Sequence, residues 1–368
     1  MPEIYLLFLL FSFLLFSAIK VFSLRTKKLA LAPIDLSQVT VVIPFRNEAE
    51  NLPLLLDSIL NQSCYPSEII FVDDHSNDVS SLVIQSFIKS HAIGHLVALK
   101  VNETGKKAAL NYGIQLAKSR FILTMDADVV LNKNYFSSLA QLSGSGLAAL
   151  PVVMNGVGVL GRLFSTEYSF FNAFNYLISN IWPVSISGAN LLFDSKLIDY
   201  KVQLKSHQHL ASGDDYFLLK NFRKNNLPIH INNEYDLRVS TDSPATLKAY
   251  FDQRVRWLSK SNFQIDRIDS LIGIFILIYF IFGFIALLIA AFHSEWMLLG
   301  SIFILRLLID SLVYLNYGQR LIITKNIVML PFFQLIYPLF FTGVAVLSVF
   351  YKPNWRGRSL EGDGGGEG

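Results

Sequence analysis

The chain has 368 residues, of which 52% are apolar and only 16% charged, with a formal net charge of +3. So small a charge lacks the basic excess of a nucleic-acid protein, and no nucleic-acid partner is expected. A single cysteine, Cys64, excludes an internal disulfide and a multi-cysteine zinc site.

From Ile4 to about Phe22 the residues are almost wholly apolar, a stretch of span length. A secretory signal would begin with basic residues. Here Glu3 precedes the stretch, and the basic residues (Lys20, Arg25, Lys27, Lys28) come late in it or after it. Residues 1–28 are therefore expected to be an uncleaved transmembrane anchor, with the side that follows cytoplasmic.

The next part alternates in period. Val39–Pro44 reads as a buried strand, and Glu48–Leu60 carries a helical apolar stripe at Leu52, Leu55, Leu56, Ile59 and Leu60. Strands at Ile69–Val72, Leu96–Val101 and Phe121–Met125 are separated by helices at Val79–Lys89 and Lys107–Lys118. A helix near Lys133–Leu142 and a strand at Leu147–Val153 complete the series. Such alternation predicts an α/β domain of parallel βαβ units, in which ligands bind beyond the carboxyl ends of the strands.

Three strand ends carry polar clusters: Pro44-Phe45-Arg46-Asn47-Glu48, Asp73-Asp74-His75-Ser76-Asn77-Asp78, and Asp126-Ala127-Asp128. Residues two apart in extended backbone point the same way. Asp126 and Asp128 would thus repel unless a cation lies between them, and hard ions such as Mg²⁺ or Mn²⁺ accept such oxygens while also binding phosphates. Asp73 is the candidate for a nucleoside base or ribose, Asp78 a helix cap, and Asp74 is left open between the two roles. Lys106 suits a phosphate or a base carbonyl, whereas Lys107 reads as a surface lysine. Of the adjacent Asp214 and Asp215, Asp214 is expected to cap the helix that follows.

The aromatic stretch Ser165–Trp182 and the basic, amphipathic Pro244–Phe263 read as helices lying in a membrane interface, a core stripe being the other reading of the first. Further spans are expected at Leu271–Ala291, Trp296–Tyr317 and Ile327–Phe350. The first loop between them lacks Lys and Arg, and the second holds Arg320 and Lys325. The tail carries Lys352, Arg356 and Arg358, which conflicts with an outside terminus, and Pro331 and Pro338 offer a break at which the last segment re-enters. Arg306 and Asp310, four apart within the middle span, share a helix face and are expected to form a buried structural pair. The Gly-rich end from Glu361 is expected to be a flexible tail.

Taken in order, these clusters resemble the inverting family-2 glycosyltransferases, which have a GT-A-type nucleotide-sugar domain. The resemblance rests on Val41 to Glu48, Val72 to Asp78, Gly105 to Asn111, and Met125 to Asp128. It continues through Ser187-Gly188-Ala189-Asn190, Gly213-Asp214-Asp215 and Gln253-Arg254-Val255-Arg256-Trp257, so it covers about Val39 to Lys260. It implies a GT-A domain over residues 38–265, a C-terminal transmembrane bundle over 270–350 and a tail over 351–368. By the same resemblance Pro44, Arg46, Glu48 and Asp73 form the nucleoside pocket, and Asp126 and Asp128 hold Mn²⁺ or Mg²⁺. Asp215 is the catalytic base. Gln253, Arg256 and Trp257 grip the diphosphate and the acceptor site. The sequence departs from the family at His75, where glycine is common, and at Asp214, where glutamate is.

The function this implies is transfer of a sugar from a nucleotide-sugar donor, UDP-linked by expectation, to a lipid or lipid-linked acceptor at the cytoplasmic face of a bilayer, taken to be a bacterial inner membrane. Two rival readings are a processive polysaccharide synthase and a degenerate membrane scaffold that keeps the fold without the activity.

Overall fold

A computed structural model of the chain describes residues 2–25, 33–142, 146–200, 213–259, 266–321 and 324–351, together with 354, 355, 358 and 359. The chain divides into two compact units, each discontinuous in sequence. One comprises Leu29–Val153, Ser185–Asp242 and Asn354–Gly368; the other comprises Met1–Lys28, Met154–Val184 and Ser243–Pro353.

The first unit is built on a seven-stranded sheet. Its strands are β1 (Val39–Phe45), β2 (Glu68–Asp73), β3 (His95–Ala98), β4 (Phe121–Met125), β6 (Leu147–Ala149), β8 (Asn190–Asp194) and β9 (Ile229–Ile231), in the order β3-β2-β1-β4-β8-β6-β9. β5 (Val130–Leu131) and β10 (Val239–Asp242) pair antiparallel beside it, and β7 (Val152–Asn155) carries the chain across the boundary between the units. The expected single strand at Leu147–Val153 is thus two, β6 and β7.

β1 lies inside the sheet between β2 and β4 with all seven residues buried, which is why its sequence is apolar but for Thr40, whose hydroxyl donates to Glu68 at 3.0 Å. It pairs parallel with β2 and β4, and β2 with β3. β8 enters antiparallel between β4 and β6, so the sheet is mostly rather than wholly parallel. Val42, Ile70, Val72 and Ile122 of the sheet form one buried cluster with Ala109 and Leu110 of the Lys106–Leu116 helix and with Leu218, Leu219 and Phe222 of the Asp214–Lys224 helix. The fold is thus the α/β arrangement expected, with the ends of β1, β2 and β4 free to carry the polar clusters.

Among the described residues, the second unit holds four helices long and apolar enough to cross a membrane: Pro2–Val21, Arg267–Phe292, Trp296–Tyr317 and Asn326–Ser348. The last does not break. Leu330–Phe350 is one helix, with Pro331 in its first turn, where a missing N–H costs nothing, and Pro338 inside it.

The Gly158–Ile178 helix buries Leu163, Phe164, Phe170, Ala173, Phe174 and Leu177. Its aromatic rings meet those of the apolar helices, Phe170 against Phe280 at 5.9 Å and against Phe333 at 5.2 Å. This aromatic stripe is core packing, not an interfacial face. On the Leu247–Ser259 helix, Arg254 is likewise buried, so the basic residues there are not all on a surface face. Arg306 and Asp310 are both fully buried but do not hydrogen-bond each other. The Asp310 carboxylate accepts from the Tyr279 hydroxyl at 2.6 Å and the Gln334 amide at 2.8 Å, while the Arg306 guanidinium lies over the Tyr279 ring at 5.4 Å. The Gly-rich end, 360–368, lies outside the described residues.

Candidate active site

Asp73 closes β2, and its loop folds back on it. One carboxylate oxygen accepts the Ser76 amide at 2.8 Å and the other accepts the Ser81 hydroxyl. The neighbouring Asp74 is 1% exposed and accepts the Gly105 amide at 3.0 Å, which ties the β2 loop to the start of the Lys106–Leu116 helix. Arg46, at the end of β1, is buried and donates to the carbonyls of Asp74, at 2.7 Å, and His75. Glu48 donates its amide to the Ser80 hydroxyl at 2.8 Å, and its carboxylate accepts from Asn51 at 2.6 Å. Pro44 lies within β1, in register with Val72. Arg46 and Glu48 therefore fix the loops that would frame a nucleoside.

His75 has φ of 55°, the left-handed region where a side chain is strained and glycine is not. That accounts for glycine being common at this position. The strain is offset locally by a 3.0 Å hydrogen bond between the His75 ring and the Glu103 carbonyl.

Asp126 and Asp128 follow β4. Asp126 is half-buried and Asp128 exposed, with Ala127 buried between them, so both carboxylates face away from the core. The Lys106 ammonium makes an ion pair with the Asp126 carboxylate. Among the described residues, no group of three or more His, Cys, Asp or Glu side chains is arranged to hold a metal ion. Asp126 and Asp128 suit a hard divalent cation as a partial set, to be completed by phosphate oxygens and water.

The antiparallel register of β4 and β8 pairs Met125 with Asn190 and so brings the Ser187–Ala189 turn beside Asp126. The Asp126 amide donates to the Ala189 carbonyl at 3.4 Å, and the Thr124 hydroxyl to the Gly188 carbonyl at 2.9 Å. On the same turn, the Gly188 amide donates to the Asp215 carboxylate at 3.4 Å. One turn thus holds Asp126 and Asp215 on neighbouring residues. Asn190 anchors it: fully buried, its side chain donates to the carbonyls of Pro151 at 2.9 Å and Leu237 at 3.0 Å and accepts from the Tyr135 hydroxyl.

Asp214 and Asp215 both lie in the first turn of their helix, where the peptide dipoles favour negative charge. The cap position is Gly213, at φ 104°, not Asp214. Asp214 instead meets Lys107, whose ammonium is 3.6 Å from it, and Lys107 is 8% exposed rather than on the surface. Burial pushes the Lys107 ammonium below the ordinary lysine value, and the Asp214 charge opposes that. Two adjacent lysines therefore divide their work, Lys106 on Asp126 and Lys107 on Asp214.

Tyr200 was not foreseen. It is buried, stacks on Phe193 at 5.7 Å, and its hydroxyl is pushed well above the ordinary value by burial and then by the charges of Asp214 and Asp215. Nothing local in the sequence marks it, because its approach to the acidic pair is tertiary.

Gln253, Arg256 and Trp257 belong to the other unit, on the Leu247–Ser259 helix, and each is half-buried.

The model of glycosyl transferase family group 2 matches residues 121–346, and that of glycosyl transferase family 2 matches residues 40–183. Poly(ribitol-phosphate) beta-N-acetylglucosaminyltransferase TarP of Staphylococcus aureus is 24% identical over 209 residues, 55% of this chain and 63% of TarP. Undecaprenyl-phosphate 4-deoxy-4-formamido-L-arabinose transferase of Pectobacterium atrosepticum is 38% identical over 117 residues, 30% of this chain and 35% of the enzyme. Poly-beta-1,6-N-acetyl-D-glucosamine synthase of Staphylococcus epidermidis is 29% identical over 136 residues, 36% of this chain and 32% of the synthase. The matched regions span less than two thirds of each of these relatives. Among solved structures, mannosyltransferase PcManGT from Pyrobaculum calidifontis, in complex with GDP-Man and Mn²⁺, has a TM-score of 0.53 at 16% identity. The likeness, which is one of fold, covers 95% of this chain and 99% of that one.

Proposed function

The chain belongs to glycosyl transferase family group 2, and from that premise we propose that it moves a sugar from a nucleotide-sugar donor to a lipid or lipid-linked acceptor hydroxyl at a membrane face. The donor is taken to be UDP-linked and the face cytoplasmic, in a bacterial inner membrane. The observation that carries the reading is the Ser187–Ala189 turn, which holds the metal-ligand candidate Asp126 and the base candidate Asp215 on adjacent residues. An inverting transfer needs those two functions on opposite sides of one reacting carbon.

In this reading Asp215 accepts the proton of the acceptor hydroxyl as its oxygen bonds to the anomeric carbon. The bond from that carbon to the diphosphate oxygen breaks in the same step, with inversion. Asp126 and Asp128 would hold Mn²⁺ or Mg²⁺, which supplies charge neutralisation for the departing diphosphate. Lys106 adds a cation beside Asp126, and the loops fixed by Arg46, Glu48 and Asp73 frame the nucleoside against Pro44. Gln253, Arg256 and Trp257 keep the diphosphate and acceptor roles that the family resemblance implies. The lipid acceptor is supported by the four apolar helices and by the name of the undecaprenyl-phosphate relative.

The test is a panel of nucleotide sugars scored for hydrolysis and for transfer into membrane lipid extract, with Mn²⁺, Mg²⁺ and excess chelator. Asp128→Ala and Asp215→Asn should each lower turnover by about 10²-fold or more. Unchanged turnover in both variants would falsify the assignment, and full activity in chelator would remove the metal. The likeness to a polymer synthase supports a second, processive reading. Long polymer made by the purified chain alone would favour it.

A further inference from the structure

Arg254 stands between the two outer positions of the Gln253–Trp257 motif and is itself outside the assigned set. It is 7% exposed, and Glu167 on the Gly158–Ile178 helix is 6% exposed. The two form a forked pair. The Arg254 Nε lies 3.1 and 3.0 Å from the two carboxylate oxygens of Glu167, and its Nη2 lies 2.5 Å from Oε2. A guanidinium held in this way has a fixed plane as well as a fixed position.

That plane meets both neighbours. The Arg254 Nη1 donates to the Gln253 side-chain oxygen at 2.5 Å, and its guanidinium lies 4.3 Å from the Trp257 ring and 4.8 Å from the Tyr250 ring. Helical spacing explains the stack, since 250, 254 and 257 share one face. Tyr168, next to Glu167, closes on the far side, with its ring 6.0 Å from that of Trp257. Burial pushes the Arg254 guanidinium down, but the Glu167 charge and hydrogen bonds together, with a smaller contribution from Tyr250 and Tyr337, outweigh it and hold the group above its ordinary value.

We propose that Glu167 and Arg254 are positioning residues for the transfer: Glu167 fixes the guanidinium plane, and that plane sets the side chains of Gln253 and Trp257. The proposal rests on the reading of Gln253 and Trp257 as part of the transfer machinery. A placement error of about 1 Å in such groups costs on the order of 10²-fold in rate.

The test uses the full chain in detergent. The readout is hydrolysis of whichever of UDP-glucose, UDP-N-acetylglucosamine and GDP-mannose the unaltered chain turns over fastest. Arg254→Lys keeps the charge and loses the fork and the stacked plane. It should lower kcat about 10- to 100-fold while leaving the donor KM within about threefold. Combined with Trp257→Phe, the losses should be strongly non-additive, because the first substitution already releases the indole. Glu167→Gln should give the same kcat-against-KM split at smaller amplitude, and it decides the matter if Arg254→Lys does not fold. Additive losses overturn the positioning role, as does unchanged kcat in both single variants while Trp257→Phe is impaired. If Gln253→Ala and Trp257→Phe keep full turnover while Asp215→Asn loses it, the motif reading fails and this proposal fails with it. Full activity in Asp215→Asn as well would place the fault in the transferase site itself.

Discussion

One carboxylate oxygen of Asp78 accepts the Ser80 amide at 2.9 Å and the other accepts the Ala49 amide at 3.2 Å. Partial burial pushes the group up, but these hydrogen bonds outweigh it and hold the Asp78 carboxyl below its ordinary value. A depressed carboxylate contributes stability that is full above the unfolded value and is lost as pH falls through the folded one. Removing these two hydrogen bonds in Asp78→Ala should cost at most about 1 kcal/mol at neutral pH, since the carboxylate is exposed to solvent, with the gap from the unaltered chain closing in acid. Melting curves at pH 7 and at successively lower pH check this. The cap position of the Ser80–His91 helix is Val79 rather than the expected Asp78, which binds the Ser80 amide from one residue further out; Asp126, Asp128 and Asp215 stood out because their motifs are local. The Lys107–Asp214 pair and Tyr200 were not legible, since more than a hundred residues separate Lys107 from its partner and only the packed sheet brings them together.

At the scale of elements, the Lys106–Leu116 helix shows how closely the site's parts are set. A Cβ at Gly113 would lie 2.4 Å from Val42 and 3.0 Å from Val72, so the helix touches β1 and β2 with its backbone. Its first residues deliver Lys106 and Lys107, so the closeness of that contact decides where both ammonium groups reach. Gly113→Ala should destabilise the chain by about 1–3 kcal/mol through overpacking and weaken nucleotide binding as the lysines are displaced. Denaturant midpoints and UDP titration measure the two effects. The strands and helices around it were readable from apolar period. The antiparallel insertion of β8 was not, since a buried strand has the same apolar run in either direction. The Gly158–Ile178 helix could be read two ways for a related reason. An aromatic stripe packed against apolar helices and one facing lipid headgroups look alike in sequence, and only ring contacts such as Phe174 on Phe16 tell them apart.

At the scale of the whole molecule, each of the two compact units gathers segments that are far apart in sequence. A fragment cut at 38–265 keeps the sheet but strips the Gly158–Ile178 helix of Phe16, Phe280, Phe333 and Phe340, which its aromatic rings contact. Exposed aromatic area of this extent drives association. The fragment should elute as aggregate in size exclusion without detergent, and a monodisperse monomer would count against this packing. The interleaving also sets a schedule for synthesis. β1 through β4 can pair as soon as they are made, but β6 leaves the ribosome before β8 and β9, the neighbours that flank it in the sheet. Phe170 precedes Phe280 by about a hundred residues, and at about 5–20 residues per second that is on the order of ten seconds. For that interval the nascent Gly158–Ile178 helix has only the apolar N-terminal helix to pack on, through Phe174 on Phe16, so completion of the fold depends on whatever shelters Phe170 and Phe171 until the later apolar helices arrive.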